Sequence, residues 1–180
     1  MGATQGFAST TVASFSSGGF SNRWGRPWWS RAAVASYLTD ARSLLEPYVA
    51  HGRLPASLFS NASAQRAFPD VAAAGEDYAI VRDSQVSYVS GTSCSTPTFA
   101  ALLALVNDAL VSEGKPTLGF INPLLYTYAQ SQALFADVTK GHMDACGTTG
   151  FHALEGWDAA SGWGTPDFPR IKALALRLAK

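Results

Sequence analysis

Charge is scarce in this chain. Only 14% of its 180 residues are Asp, Glu, Lys or Arg, and 13 acidic residues balance 13 basic ones to a formal net charge of zero. That balance excludes a basic nucleic-acid-binding surface and an acidic disordered tail. Cysteine is scarcer still: Cys94 and Cys146 are too few for a disulfide framework. No uninterrupted apolar run reaches the ~18 residues that read as a bilayer-spanning helix. The first residues, Met1-Gly2-Ala3-Thr4-Gln5-Gly6, show neither the basic nor the apolar region of a signal peptide. Gly6 also stands where a myristoylation pattern wants Ser or Thr. The three histidines, His51, His142 and His152, have no nucleophile motif beside them, so a Ser-His-Asp triad is unsupported. What the chain does have is apolar sequence: 47% of its residues are hydrophobic, enough to bury a core as one domain.

The most informative stretch is Ser90-Gly91-Thr92-Ser93-Cys94-Ser95-Thr96-Pro97, which runs directly into Phe99-Ala100-Ala101-Leu102-Leu103-Ala104-Leu105-Val106. A Gly-Thr-Ser turn opening a helix presents a serine hydroxyl to free backbone N–H groups and to the positive end of the helix dipole. Those groups are suited to hold the oxyanion formed when a carbonyl is attacked. Simple helix capping by Ser and Thr explains the same residues equally well. Cys94 reads as a small buried packing residue beside that serine.

The chain alternates helices and strands. A helix is expected over residues 27–38, with Pro27 in its first turn. Residues 44–69 read mostly as loop and 71–74 as a short buried strand. Residues 78–82 and 85–89, separated by Asp83-Ser84, predict a hairpin. A long buried helix is expected over 96–112, a shorter one over 122–129 and an amphipathic closing helix over 168–179. No internal repeat or low-complexity linker is visible.

Further segments fall in a fixed order around this motif. They are Ser17-Gly18-Gly19-Phe20-Ser21, Phe68-Pro69-Asp70-Val71-Ala72-Ala73 and Gly119-Phe120-Ile121-Asn122-Pro123-Leu124-Leu125-Tyr126. After them come Phe135-Ala136-Asp137-Val138-Thr139-Lys140-Gly141 and Gly156-Trp157-Asp158 through Gly162-Trp163-Gly164-Thr165-Pro166-Asp167-Phe168. Together with the Ser90–Pro97 motif, this pattern resembles the sedolisin family of serine-carboxyl peptidases, and most nearly its tripeptidyl-peptidase members. Ser17 departs from it, standing where many relatives have a third glycine.

The resemblance implies an α/β fold: the C-terminal part of a subtilisin-like domain with a mainly parallel sheet flanked by helices. Residues 16–180 would supply about the C-terminal half of that domain, behind an N-terminal extension over 1–15. It makes Ser93 the expected nucleophile, peptides or unfolded proteins the expected substrate, and a lysosomal or secreted location the expected setting. It also implies one calcium ion, an acceptor of six or more hard oxygen ligands. Its carboxylates would come from Asp137 and Asp158, and its carbonyls from Val138, Gly156 and the residue at Leu154. Leu154 stands where the family usually has glycine, and a leucine does not readily reach the backbone conformations open to glycine. Asp70 is expected to serve as a structural hydrogen-bonding carboxylate. Trp28, Trp29 and Trp163 read as core or surface aromatics. Asn61-Ala62-Ser63 is a glycosylation sequon, meaningful only if the chain enters the secretory pathway. Some family members bridge cysteines of this region to an upstream segment, so the resemblance leaves the pairing of Cys146 open.

The family's base is a glutamate oriented by an aspartate, and another, protonated, aspartate serves the oxyanion hole. All three lie upstream of the Ser-Gly-Gly-Phe region, and this chain has no matching positions. A carboxylate base suits acid conditions, where its pKa of about 4 leaves it ionised and a histidine would be protonated. None of Glu46, Glu76, Glu113 and Glu155 sits in a segment resembling the family's base helix. Three readings follow. The first is an acid-acting sedolisin-type peptidase present as a partial chain, inactive alone and needing the other half of its domain. The second is a non-catalytic, calcium-stabilised binding domain. The third, the weakest, is a histidine-dependent subtilisin-type peptidase.

Overall fold

The computed structural model describes residues 1–6, 9–59, 65–144 and 148–179. Its centre is a three-stranded sheet whose middle strand is the first in the chain. Strand β1 (Gly2–Gln5) pairs antiparallel with β2 (Thr11–Val12), then parallel with a strand far along the chain. Within residues 1–15, for which the sequence offered no structure, β1 holds the middle of the sheet and β2 one edge. Ala3 is fully buried, and its N–H donates to Ser16 Oγ at 3.0 Å.

Strand β3 (Gly19–Gly25) leads through a 3-10 turn (Trp28–Ser30) into helix α1 (Arg31–Asp40) and helix α2 (Arg42–Ala50). The loop expected over 44–69 is replaced by most of α2, a second 3-10 turn (Ala56–Phe59) and strand β4 (Gln65–Phe68), which pairs with β3. Burial of Leu45 and Leu58 in the main core gives these turns the tertiary support that local sequence does not advertise. Strand β5 (Ala72–Ala74) is the parallel partner of β1, with Ala3 opposite Ala73. The hairpin of β6 (Tyr78–Arg82) and β7 (Gln85–Val89) falls where the sequence placed it. Its turn residues Asp83 and Ser84 both have positive φ, 52° and 62°, which right-twisted two-residue hairpins require.

Helix α3 (Thr92–Ser112) starts four residues earlier than expected, so it takes in Ser93 and Ser95. It is also less buried than expected. Ser95, Phe99, Val106 and Leu110 are covered, while Leu105 is 53% and Val111 60% exposed. Over residues 99–106 the helix is apolar around its circumference, but only one face meets other elements, chiefly the closing helix α5 (Phe168–Leu178), β5 (Ala72–Ala74) and β1. By length and composition α3 is the single helix among the described residues apolar enough to cross a membrane. Its covered face packs inside the fold, where Phe99 joins the main core and Val106 and Leu110 a second cluster.

Helix α4 (Asn122–Tyr128) follows, then the short pair β8 (Phe135–Ala136) and β9 (Thr165–Pro166), and finally α5 (Phe168–Leu178). Asp167 caps α5 by accepting from Arg170 N–H at 3.1 Å. Val106, Leu110, Leu134, Ile171, Leu174 and Ala175 form the second apolar cluster, which seats α5 against α3.

The two faces of α3 should respond differently to truncation. Leu110→Ala, in the closed cluster, is expected to cost roughly 2–5 kcal/mol. Leu105→Ala, on the open face, should stay within about 0.5 kcal/mol. Urea unfolding of both variants checks this, and equal losses would mean that the open face is covered in solution.

Candidate active site and acidic loops

The Ser-Gly-Thr-Ser motif forms the turn between β7 and α3. Ser90 Oγ accepts from Asp77 N–H at 3.1 Å, and Gly91 N–H donates to Gly75 O at 2.7 Å. One turn into the helix, Ser95 Oγ donates to Ala73 O at 2.9 Å and approaches Ala74 O at 3.3 Å. Ser95 is thereby fully buried against the end of β5. Gly75 permits this approach: a Cβ there would stand 2.6 Å from Ser95 Oγ and 2.8 Å from Ala3 Cβ. The motif's serines thus divide their work. Ser90 and Ser95 fasten the turn, and Ser93 between them is exposed, its hydroxyl unbonded among the described residues.

Ser93 lies in the first turn of α3, where backbone N–H groups have no intrahelical acceptor. Pro97 follows at the i+4 position and has no N–H, so the Ser93 carbonyl receives no α-helical bond from it. Cys94 is a half-buried free thiol rather than a fully buried packing residue, because the same first turn keeps it at the surface.

No carboxylate or imidazole hydrogen-bonds Ser93 among the described residues. Glu46 pairs with Arg42 and Glu113 with Lys115. His51 Nδ1 lies against Pro47 O, His142 against Asp144, and His152 against Thr149 Oγ1. Asp70 is structural: Arg66 Nη2 donates to both its oxygens at 2.7 Å, and Tyr126 OH to Oδ1 at 2.8 Å. Desolvation, followed by the Asp70 charge, pushes the Tyr126 phenol well above its usual range. Cys146 and the Asn61–Ser63 sequon lie outside the described residues.

The structure brings the two loop aspartates to one short stretch of backbone. Asp137 Oδ2 accepts from Gly156 N–H at 2.7 Å, and Asp158 Oδ2 from Leu154 N–H at 3.2 Å. Asp158 is 0% exposed. Its other oxygen, Oδ1, accepts from the N–H groups of Ala160 (2.9 Å) and Ser161 (2.7 Å), and Ser161 Oγ lies 3.1 Å from both oxygens. Burial pushes its pKa up to about 7 against the pull of these donors. Partial desolvation raises Asp137 as well, opposed by the N–H groups of Gly156 and Val138, with the Glu155 charge adding to the rise. Gly156 turns the loop with φ of +82°, a conformation that glycine adopts freely. Leu154 is not among the residues with positive φ, so the backbone at this position does not require the glycine usual in relatives. Among the described residues no group of three or more His, Cys, Asp or Glu side chains forms a metal cluster.

The site thus combines a Gly-Thr-Ser serine at a helix start, two aspartates meeting at residues 154–156, and no imidazole hydrogen-bonded to that serine among the described residues. No protein-family model matches the chain. Human tripeptidyl-peptidase 1 is 41% identical over 162 residues, which is 87% of this chain and 26% of that protein. Tripeptidyl-peptidase sed1 of Aspergillus fumigatus is 36% identical over 174 residues, 93% of this chain and 26% of that protein. The chain belongs to the sedolisin family. The structure agrees: Pseudomonas sedolisin, a serine-carboxyl proteinase solved with two molecules of pseudo-iodotyrostatin, superposes with a TM-score of 0.73 at 23% identity. That match covers 99% of this chain and 46% of the sedolisin chain. The fold is therefore the α/β, subtilisin-like one, seen in part. The chain spans about a quarter of the length of the curated relatives it matches.

Within that sedolisin framework, sequence reasoning singled out Ser93, Asp137, Val138, Gly156 and Asp158. The structure gathers the last four near one loop and leaves Ser93 at the start of α3. It missed Ser95 and Gly75, because a serine two residues from another carries no sequence mark of facing inward. Ser95→Ala should cost about 1 kcal/mol by removing a buried hydrogen bond, whereas Ser93→Ala should change stability by less than about 0.5 kcal/mol. Thermal melts of the two variants, compared with the parent, check the division.

Proposed function

We propose that Ser93 is the nucleophile of an acid-acting serine peptidase of tripeptidyl-peptidase type, completed by carboxylates that the described residues do not place beside it. The observation that carries this reading is the exposed hydroxyl of Ser93 at the open first turn of α3, which, unlike those of Ser90 and Ser95, has no hydrogen-bond partner among the described residues. In the reaction, Ser93 Oγ adds to the carbonyl carbon of a peptide bond. The free N–H groups of the first turn and the helix dipole favour the negative charge that develops on the carbonyl oxygen. The proton leaves Oγ for a carboxylate base, which remains ionised near pH 4 where an imidazole would not. The histidine-dependent alternative has no support, since each imidazole is engaged elsewhere. The surface left open on α3 would be covered by the remainder of the peptidase domain, and a lysosomal or secreted setting would supply the acid.

Calcium belongs to the same proposal. The donor set fits a hard cation: carboxylate oxygens of Asp137 and Asp158 with the carbonyls of Val138, Gly156 and Leu154. The supporting observation is a fully buried carboxylate, Asp158, whose partners are N–H and O–H groups and include no basic side chain. A bound ion would supply that counter-charge and pin the 137–141 and 154–161 loops together. A non-catalytic, calcium-stabilised binding domain is the second reading, favoured by the lack of any base hydrogen-bonded to Ser93 among the described residues.

Two measurements decide. Saturating calcium, about a hundredfold over Kd, should add about 2.7 kcal/mol, or a Tm rise of about 5–10 °C in a chain of this size. Chelator should reverse the rise and Asp137→Ala should abolish it; a Tm indifferent to calcium overturns the metal site. For the chemistry, the 180-residue chain alone should release no tripeptide at about pH 4. Fused behind the upstream half of a tripeptidyl-peptidase, it should do so, and Ser93→Ala should abolish the activity. Fusion activity that survives this substitution removes Ser93 from the mechanism, and a folded but inactive fusion leaves the binding-domain reading.

A further inference from the structure

Two of the three imidazoles, which have no part in the proposed chemistry, stand together. His142 and His152 lie directly opposite each other in an antiparallel bridge, with ring centroids 5.3 Å apart and planes tilted by 37°. The backbone bonds that fix this pairing flank it. Met143 N–H donates to Phe151 O at 3.1 Å, and Ala153 N–H to Gly141 O at 3.0 Å. The histidines therefore form a non-hydrogen-bonded pair, the position at which cross-strand side chains come closest. Their neighbours Met143, Phe151 and Ala153 are buried, so the alternation of the two segments anchors one face in the core and turns the imidazoles to the other.

Each ring has one nitrogen steadied and one open. His142 Nε2 lies 3.2 Å from Asp144 Oδ1, and the His142 side chain is 40% exposed. His152 Nε2 lies 3.0 Å from Thr149 Oγ1, which the Tyr48 hydroxyl meets at 2.6 Å. Neither Nδ1 has a hydrogen-bond partner among the described residues. Both are open to solvent, since the buried side-chain nitrogens without partners among those residues are the indoles of Trp29 and Trp163. An oxygen on one ring nitrogen, with the other left open, is how metal-binding imidazoles are oriented. Two nitrogens on one tetrahedral ion, at about 2.0–2.1 Å each, set the ring centres roughly 5 Å apart. The observed 5.3 Å matches that spacing. What remains is a turn of the rings about χ2, a broad torsion in histidine.

We propose that His142 and His152 together chelate one divalent transition-metal ion through their Nδ1 atoms, with water completing its coordination. Imidazole suits zinc, nickel and copper(II), whereas calcium takes oxygen ligands. The site is thus chemically distinct from the one proposed at Asp137 and Asp158, and it stands independently of the chemistry at Ser93. A bound ion would clamp the two segments across the bridge.

The test is calorimetric titration of the whole, untagged chain with zinc chloride at about pH 7.5, where imidazole is largely neutral. Saturating calcium is present throughout, and Cys94→Ser and Cys146→Ser remove competing thiols. Zinc should bind saturably, one ion per chain. His142→Gln and His152→Gln should each weaken binding about tenfold or more, because each breaks the chelate, while His51→Gln should leave it unchanged. Circular dichroism melts confirm that each variant is folded. Ring-nitrogen NMR of the parent chain keeps the test open if one is not: zinc should shift the signals of both His142 and His152 and spare His51. Absence of saturable binding by folded protein overturns the proposal. Binding that either folded histidine variant retains at full strength places the ion elsewhere and overturns it too. A zinc response confined to one of the two rings reduces the pair to a single contact, with the same consequence.

Discussion

The hydrogen bonds that fix the functional elements relative to one another converge on residues 69–75. Pro69 O accepts from the indole of Trp157, Asp70 O from Trp163 N–H, and Val71 O from Gly2 N–H. Ala72 N–H donates to Gly164 O, Gly75 N–H to Thr4 O, and Gly75 O accepts from Gly91 N–H. The carbonyls of Ala73 and Ala74 take the Ser95 hydroxyl. One end of this stretch therefore holds the loop that carries Asp158, and the other holds the turn that carries Ser93. The small side chains of Ala72, Ala73 and Gly75 are the condition for it. Neighbouring backbones and a helix start all approach within hydrogen-bonding distance, and larger side chains there would hold them apart.

That arrangement accounts for how much of the molecule was legible in its sequence. The β6–β7 hairpin is local: β-forming runs flank a two-residue turn, and both strands fell on their expected residues. The Ser93 turn was legible because Gly-Thr-Ser before an apolar run is a short, ordered signal. Strand β1 was not, because Gly-Ala-Thr-Gln has little strand propensity of its own. It becomes a strand by pairing in parallel with Ala72–Ala74, some seventy residues away, and no window around residues 2–5 contains that information. Helix α2 was hidden for a related reason. Pro47 lies inside it, and the support comes from Leu45 entering the core rather than from the segment's own preference. The candidate site divides along the same line. Ser93, Asp137 and Asp158 were readable from motif order, whereas the inward turn of Ser95 and the gathering of both aspartates on residues 154–156 are properties of packing.

Asp158 shows why packing matters to the proposed metal site. Taking a carboxylate out of water disfavours its charged form, and here that effect lifts the pKa to about 7 despite several donors. Donors alone thus do not restore what burial removes. Asp137, on the neighbouring 137–141 loop, has partial desolvation and the Glu155 charge acting in the same direction. Negative charge concentrated on a loop without a basic partner is poorly balanced by dipoles, and a divalent cation balances it directly. The calcium reading draws its physical sense from this imbalance as much as from motif order.

The exposed face of α3 is the counterpart of that imbalance in apolar terms. A helix that is hydrophobic around its circumference is normally enclosed, yet here Leu105 and Val111 face outward while Phe99, Val106 and Leu110 are covered. The hairpin adds Val81, Val86 and Tyr88 to the open surface, three residues that its register sets on one face. Scattered apolar residues on a surface need no explanation, but an open helix face and an open hairpin face flanking the Ser93 turn leave the same region uncovered. The sedolisin chain is about twice as long as the part matched here. A surface from such additional sequence would both bury these residues and bring carboxylates to Ser93. Under the proposed function, the missing cover and the missing base become one requirement: the surface that closes the apolar face of α3 would also have to carry the carboxylate for Ser93.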